Sequence, residues 1–252
     1  MDYSPLMSKY AVVTGAGRGI GAVTSAALVR DGWTVALLGR GLGALELVAK
    51  ELGSSAVAIA CDVSDASSVA KAFAQVKNEF SRLDLLFNNA GIASPGDLLE
   101  DVSAQDFQAV MNVNVGGVFY CTQQAFAIMK EQNPQGGRII NNGSISAQVP
   151  RPNSAPYTAS KHAVTGLTRS TSLDGRKYNI ACGQIDIGNA DTKMAADHGS
   201  GVAQANGGVM AEPMLDPQIV ADAVVHMANL PLEANVQFMT VMATKMPYIG
   251  RG

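Results

Sequence analysis

Short apolar runs alternate along the chain with longer stretches whose apolar residues recur every three or four positions. The short runs predict strands at Tyr10–Thr14, Trp33–Leu38, Ala56–Cys61, Leu83–Phe87, Arg138–Asn142, Ile180–Ile185 and Val236–Val241. The longer stretches predict helices at Ile20–Arg30, Leu42–Leu52, about 66–80, about 104–132, about 155–177 and about 217–229. Gly32 and Gly53 stand just past two of them, where a C-cap needs a residue without a Cβ. The helix over 104–132 is read as continuous, with Gly116-Gly117 inside it.

Strands that are apolar on both faces and alternate with helices require cover on both sides of the sheet. The predicted fold class is therefore α/β, a Rossmann-like doubly wound parallel sheet of about seven strands flanked by helices on both faces. No Pro/Gly/Ser linker or repeat divides the pattern, so residues 1–252 are read as one domain. The stretch at about 189–215 is rich in Ala, Gly, Met and Asn and lacks a period. Segments of that kind inside compact domains are commonly functional lids or disordered, and this one is read as a substrate lid.

Composition removes several function classes. The chain of 252 residues is 47% hydrophobic and 15% charged, with a net charge of −3. That balance supports a folded core and provides no basic footprint for nucleic acid or an anionic membrane. The longest apolar stretches fall far short of the roughly 20 residues of a membrane span. Residues 1–10 carry no apolar signal core. Three cysteines without a CxxC spacing read as reduced thiols of a cytoplasmic protein. No metal site is expected.

After the first strand comes Thr14-Gly15-Ala16-Gly17-Arg18-Gly19-Ile20-Gly21. Glycines between a strand and a helix let backbone approach a diphosphate, and the helix N-terminus offers free N–H groups and partial positive charge. A tight turn that merely needs glycine is the plainer alternative. The spacing is GxxxGxG, from Gly15, Gly19 and Gly21, rather than the dinucleotide GxGxxG.

The second strand ends in Leu38-Gly39-Arg40, without the acid that binds the adenosine ribose in NAD proteins. An arginine there can bind a 2′-phosphate bidentately, and Arg18 could add a second positive charge. The expected cofactor is NADP(H), with NAD(H) possible if both arginines are only solvated surface residues. Asp62-Val63 follows the third strand. Asp62 could accept from the adenine amino group, or cap the next helix, a role open equally to Ser64 or Asp65.

Tyr157 and Lys161 are four apart in a predicted helix and share a face. Phenols ionise near ~10, and a neighbouring ammonium favours the phenolate. Ser144 ends the fifth strand and could donate to a substrate oxygen. Together they suit proton transfer at a carbonyl or alcohol beside a hydride carrier. Ser146 is read as pocket lining or structural. Gln148, Pro150 and Asn153 are further candidates for the pocket.

From about Lys9 to Val241 the chain resembles a short-chain dehydrogenase/reductase of the soluble, roughly 250-residue type. Thr14 to Gly21 matches its TGxxxGxG. Asn88-Asn89-Ala90-Gly91 matches its NNAG motif, and Ser144 with Tyr157 and Lys161 matches its serine and YxxxK. The resemblance implies that Tyr157 is the general acid/base and that Ser144 orients the carbonyl. It implies that Lys161 binds the nicotinamide ribose and assists the tyrosine, and that Asn114 holds a water of the proton relay. Gly15, Arg18, Gly19, Ile20, Gly21, Arg40, Asp62, Val63, Asn89, Ala90, Gly91 and Thr192 fall where the family contacts its cofactor.

One position departs from the pattern: Ile187-Gly188 stands where most members have Pro-Gly. Losing the proline is expected to loosen a turn beside the nicotinamide. The resemblance further implies a homotetramer, or a homodimer, built through the helices at 104–132 and 155–177.

The resulting expectation is an oxidoreductase moving hydride between NADP(H) and a small carbonyl or alcohol. A 3-oxoacyl thioester reductase is the alternative. A substrate on an acidic carrier would call for a basic lid rim. Here Asp191, Asp197 and Glu212 face Lys193 alone, although Arg151 and Arg169 could contribute. A non-catalytic NADP(H) sensor is the third reading, weakened by the presence of both Tyr157 and Lys161.

Overall fold

The computed structural model describes residues 9–192 and 201–249. Seven strands form one parallel sheet: β1 (Lys9–Thr14), β2 (Trp33–Gly39), β3 (Ala56–Ala60), β4 (Leu85–Asn88), β5 (Gly137–Asn142), β6 (Ile180–Ile187) and β9 (Phe238–Val241). Their order across the sheet is β3-β2-β1-β4-β5-β6-β9. The crossover helices are α1 (Gly19–Arg30), α2 (Leu42–Leu52), α3 (Ala66–Glu79), α4 (Ala104–Met111), α5 (Gly117–Glu131), α6 (Ala155–Gly175) and α7 (Pro217–Asn229).

Strand alternation divides the core into two halves. Ala11, Val13, Val35, Leu37, Leu85 and Phe87 face one side, where they meet Leu28 of α1 and Val220, Val224 and Met227 of α7. Val12, Ala36, Leu38, Leu86 and Ile139 face the other side, where Phe73 and Val76 of α3 and Cys121, Ala125 and Met129 of α5 cover them. A sheet with two apolar faces and helices on both is what the unbroken apolar strands require.

The far end of the sheet is anchored by Arg138, which is almost fully buried. Its guanidinium donates to the carbonyls of Leu230, Pro231 and Ala234 and to Asn235 Oδ1, gathering the chain that leaves α7. Burial holds its pKa below the ordinary arginine value. The three cysteines are buried thiols. Burial pushes Cys182 up to about 12. Burial likewise pushes Cys61 up to about 11, with Asp62 and Asp65 adding to the shift and a Ser68 hydrogen bond opposing it. Both stay protonated and unreactive near neutral pH.

Several boundaries differ from the pattern reading. The helix read over 104–132 is interrupted by a π-helical turn at Asn112–Gly116. Val63 packs onto Gly117 so closely that a Cβ there would stand 2.8 Å from Val63 Cγ2, and the turn carries Asn114 inward. β3 stops at Ala60, short of Cys61. β6 runs two residues further than expected, to Ile187. Ile187 stands in register with Val241, and the Gly188 N–H donates to the Val241 carbonyl at 2.9 Å. The position where a loosened turn was expected is therefore the last residue of a paired strand.

The segment at 189–215 is partly ordered by pairing. Val202–Ala203 (β7) and Val209–Met210 (β8) form a small antiparallel hairpin, and Ala190 bridges to Leu215 at its base. Residues 193–200 of this segment, including Lys193 and Asp197, lie outside the described residues.

Candidate active site

A cavity of about 970 Å³ lies along the C-terminal edge of the sheet. It sits where β1 neighbours both β2 and β4, so successive crossovers leave in opposite directions and open a crevice. Gly15, Arg18, Gly19, Ile20, Arg40, Asp62, Val63, Asn89, Ala90, Gly91, Ser144, Tyr157, Lys161 and Thr192 all border it. Gly21 and Asn114, also named from the sequence, stand behind its wall.

The glycine turn is shaped for an anion. Gly15 and Gly19 have φ of +65° and +55°, a region open to glycine without strain. A Cβ on Gly21 would stand 2.3 Å from the Gly15 carbonyl, so Gly21 serves close packing within the turn. Arg18 stands just before α1, is extended and gives the helix no side-chain cap. The first-turn N–H groups are thus left for a ligand, which fits a cofactor diphosphate.

At this end of the cavity Arg18 and Arg40 are exposed. Neither guanidinium has an ion-pair or hydrogen-bond partner among the described residues. Asp62 is not the helix cap: Asp65 caps α3 by accepting from the Ser67 N–H. Asp62 Oδ1 instead accepts from the N–H and hydroxyl of Ser64, at 3.0 and 2.7 Å.

A chain of asparagines ties the strand ends together. Thr14 Oγ1 accepts from the N–H groups of Asn89 and Ala90, and Asn89 Nδ2 donates to the Thr14 carbonyl. Asn88 Nδ2 donates to Thr122 Oγ1 and to Asn141 Oδ1 on β5. Asn142 Nδ2 donates to Asn89 Oδ1, and the Asn142 carbonyl accepts from Lys161 Nζ at 2.7 Å. Asn114 Oδ1 accepts from the Ile92 N–H, and its Nδ2 donates to the Ile92 carbonyl and to Ser160 Oγ. Its side chain therefore joins the β4 loop to α6.

Tyr157 and Lys161 lie on one face of α6, with Nζ 5.5 Å from the tyrosine ring centre. Lys161 is buried, and the phenol of Tyr157 has no hydrogen-bond partner among the described residues. Ser144 Oγ accepts from the Ser146 N–H at 3.1 Å, which leaves the serine O–H free to donate. An acid, a cation and a donor therefore border one cavity whose other end is basic.

Arg151 and Asn189 line the cavity beside the segment read as a lid. Arg151 makes a short ion pair with Glu212, and its Nη2 also donates to Asn189 Oδ1 at 2.9 Å. Asn189 Nδ2 and Gln204 Nε2 donate to the same carboxylate. Burial pushes Glu212 up, but these hydrogen bonds and the guanidinium outweigh it and hold the acid below the usual carboxylate range. Arg151 is therefore not free basic charge on the rim, and Arg169 lies over the Phe238 ring. Of the three further pocket candidates, Asn153 lines the cavity and Gln148 and Pro150 do not. Arg151 and Glu212 are far apart in sequence, and no spacing signals their meeting.

The short chain dehydrogenase family model matches residues 9–202. A 3beta-hydroxysteroid dehydrogenase of Mediterraneibacter gnavus is 33% identical over 189 residues, 74% of this chain and 67% of that protein. A 3-ketoacyl-(acyl-carrier-protein) reductase of Brucella melitensis, solved with NADH, superposes with a TM-score of 0.83 at 27% identity, over 92% of this chain and 96% of the other. An actinorhodin polyketide ketoreductase, solved with NADPH, gives 0.84 at 27% identity, over 93% and 96%.

Proposed function

The chain belongs to the short-chain dehydrogenase family, oxidoreductases acting on CH–OH groups, and on that premise we propose that it interconverts a small carbonyl and its alcohol using NADP(H). The observation that carries this reading is the pairing of the two cavity ends. Tyr157, Lys161 and Ser144 border one end, and the unpartnered Arg18 and Arg40 border the other.

A bound nicotinamide would supply or accept the hydride. The chain's own residues do the rest. Ser144 donates its O–H to the substrate oxygen and orients it. Tyr157 passes its proton to that oxygen in reduction and recovers it in oxidation. Lys161, held by the Asn142 carbonyl, places its ammonium beside the phenol. Asn114 fixes the α6 backbone from behind through Ser160, which donates to the Tyr157 carbonyl at 2.7 Å. The uncapped start of α1 receives the diphosphate, Arg40 and Arg18 receive a 2′-phosphate, and Asp62 accepts from the adenine amino group.

The Arg151–Glu212 pair favours a free small molecule over a thioester on an acidic carrier, since it consumes the positive charge such a carrier would seek. Half-exposed Phe107, Phe119 and Leu173 on α4, α5 and α6 support a homotetramer or homodimer built on these helices. No helix among the described residues is long and apolar enough to cross a membrane.

The test is separate titration with NADPH and NADH by reduced-nicotinamide fluorescence, followed by a panel of carbonyls. Binding of NADPH about tenfold tighter, about 1.4 kcal/mol, with turnover of a carbonyl is expected. Equal or tighter NADH binding would overturn the cofactor assignment. Cofactor binding without turnover of any carbonyl would overturn the activity.

A further inference from the structure

Asp186, on β6, is 1% exposed and makes no ion pair with a basic side chain among the described residues. A carboxylate taken out of water is costly unless donors replace the water. Here three do. Oδ1 accepts from the Ser144 N–H at 3.0 Å and from Gln184 Nε2 at 2.7 Å, and Oδ2 accepts from Gln148 Nε2 at 3.0 Å.

The neighbours are shaped around this group. A Cβ on Gly143 would stand 2.1 Å from Asp186 Oδ1 and 2.7 Å from Gln184 Nε2, so only glycine leaves room for the pair. Gln184 is held on α6 at both ends of its amide: Oε1 accepts from Thr168 Oγ1, and Nε2 also donates to Thr165 Oγ1. Gln148 Oε1 accepts in turn from the Tyr248 hydroxyl. One carboxylate therefore links the helix bearing Tyr157, the turn bearing Ser144 and the chain near its C-terminal end.

We propose that Asp186 is the positioning residue of Ser144, fixing the backbone of the serine turn so that the free O–H is aimed at the substrate oxygen. The Ser146 N–H holds the serine oxygen while Asp186 holds the serine N–H, so the turn is constrained from both sides. This role rests on the reading of Ser144 as the group that orients the carbonyl. Asp186 itself need not touch substrate.

The experiment compares Asp186→Ala and Asp186→Asn, each alone and in a Ser144→Ala background. Asn keeps an oxygen at the Oδ1 position, and the Gln148 amide can turn over to meet its NH₂. Asp186→Asn is therefore expected to keep kcat within about twofold. Asp186→Ala is expected to lower kcat about a hundredfold, the effect of a misplaced reacting group, with the NADPH Kd unchanged. In the Ser144→Ala background the same change should cost less than about twofold, because both act through one group.

Hydrogen exchange gives a readout that needs no substrate. Amides of residues 143–148 should exchange faster in Asp186→Ala, with those of 15–21 unchanged. Wild-type exchange at 143–148, or an equal kcat loss with and without Ser144, would overturn the proposal. If Asp186→Ala does not fold, Gln148→Leu at the exposed rim removes one donor, and unchanged exchange at 143–148 in that variant would also overturn it. Should the wild-type protein turn over no carbonyl, the activity reading fails while the exchange comparison still decides the role of Asp186.

Discussion

Lys161 Nζ donates to the carbonyl of Asn142 at 2.7 Å, so the buried ammonium of α6 is tied to the end of β5 and to no carboxylate among the described residues. Its positive charge is therefore not cancelled beside Tyr157. Asn142 reaches Asn89, and Asn89 reaches Thr14, which connects the proton-handling helix to the glycine turn.

Tyr157→Phe removes the hydroxyl and leaves the ring in place. Turnover is expected to fall by about 10³ or more, within the range for a lost general acid, while the NADPH Kd stays within about twofold. Steady-state kinetics with a fluorescence titration checks both. Near-normal turnover would remove the tyrosine from the proton step.

Arg40→Ala deletes one of two unpartnered guanidiniums at the cavity's basic end. The NADPH Kd is expected to rise about tenfold, about 1.4 kcal/mol, with NADH unchanged. The difference between the two cofactors should shrink as salt is added, since both charges are exposed. An equal change for both cofactors would place Arg40 away from the 2′-phosphate.

His162 is next to Lys161 in sequence but lies exposed, with Nδ1 2.9 Å from the Thr158 carbonyl. A neighbour one residue on points to another helix face. His162→Gln should keep kcat within about threefold of wild type. A thousandfold loss in the same assay would make the imidazole part of the chemistry.

Glu212, which also accepts from Gln204 within the hairpin at 201–215, ties that hairpin to Arg151 and Asn189. Its pKa is depressed in the folded chain, so its stabilisation is present above the ordinary carboxylate value near ~4.3 and is lost as pH falls through the folded value. At neutral pH, Glu212→Gln should reduce hydrogen-exchange protection of 201–215 about thirtyfold, or about 2 kcal/mol, and this difference from wild type should vanish at low pH. A difference that does not depend on pH would exclude the ionised carboxylate as the cause.

Arg138→Met leaves three carbonyls and Asn235 Oδ1 without their donor at the far end of the sheet. A loss of about 3 kcal/mol is expected, seen as a Tm lower by roughly 6–12 °C. Cofactor affinity should be unchanged, because the residue lies at the opposite edge from the cavity. A Tm within about 2 °C of wild type would mean that water replaces the guanidinium.

Strand and helix order was readable because burial on two faces forces unbroken apolar runs, and a parallel sheet forces a crossover between them. Thr14 to Gly21 and Tyr157 with Lys161 stand out as short local patterns of neighbouring residues, and Asn88 to Gly91 is marked only by the family resemblance; the structure sets residues of all three on one cavity. The π turn at 112–116 was not readable, since a helical period hides one extra residue in a turn. Ile187 could be seen to replace a proline, but its pairing with Val241 depends on a strand more than fifty residues away.

Arg151 with Glu212, and Asp186 with Ser144, Gln148 and Gln184, were beyond reach of any spacing rule. Ser144 and Gln148 read as site candidates and Arg151 and Glu212 as charges near the lid, but no pattern names their partners until the fold brings each pair within 3 Å. Hydrophobic periodicity is a property of consecutive residues and survives in one dimension. The partner of a buried charge is chosen by tertiary packing, because only there is water excluded and a specific donor required in its place.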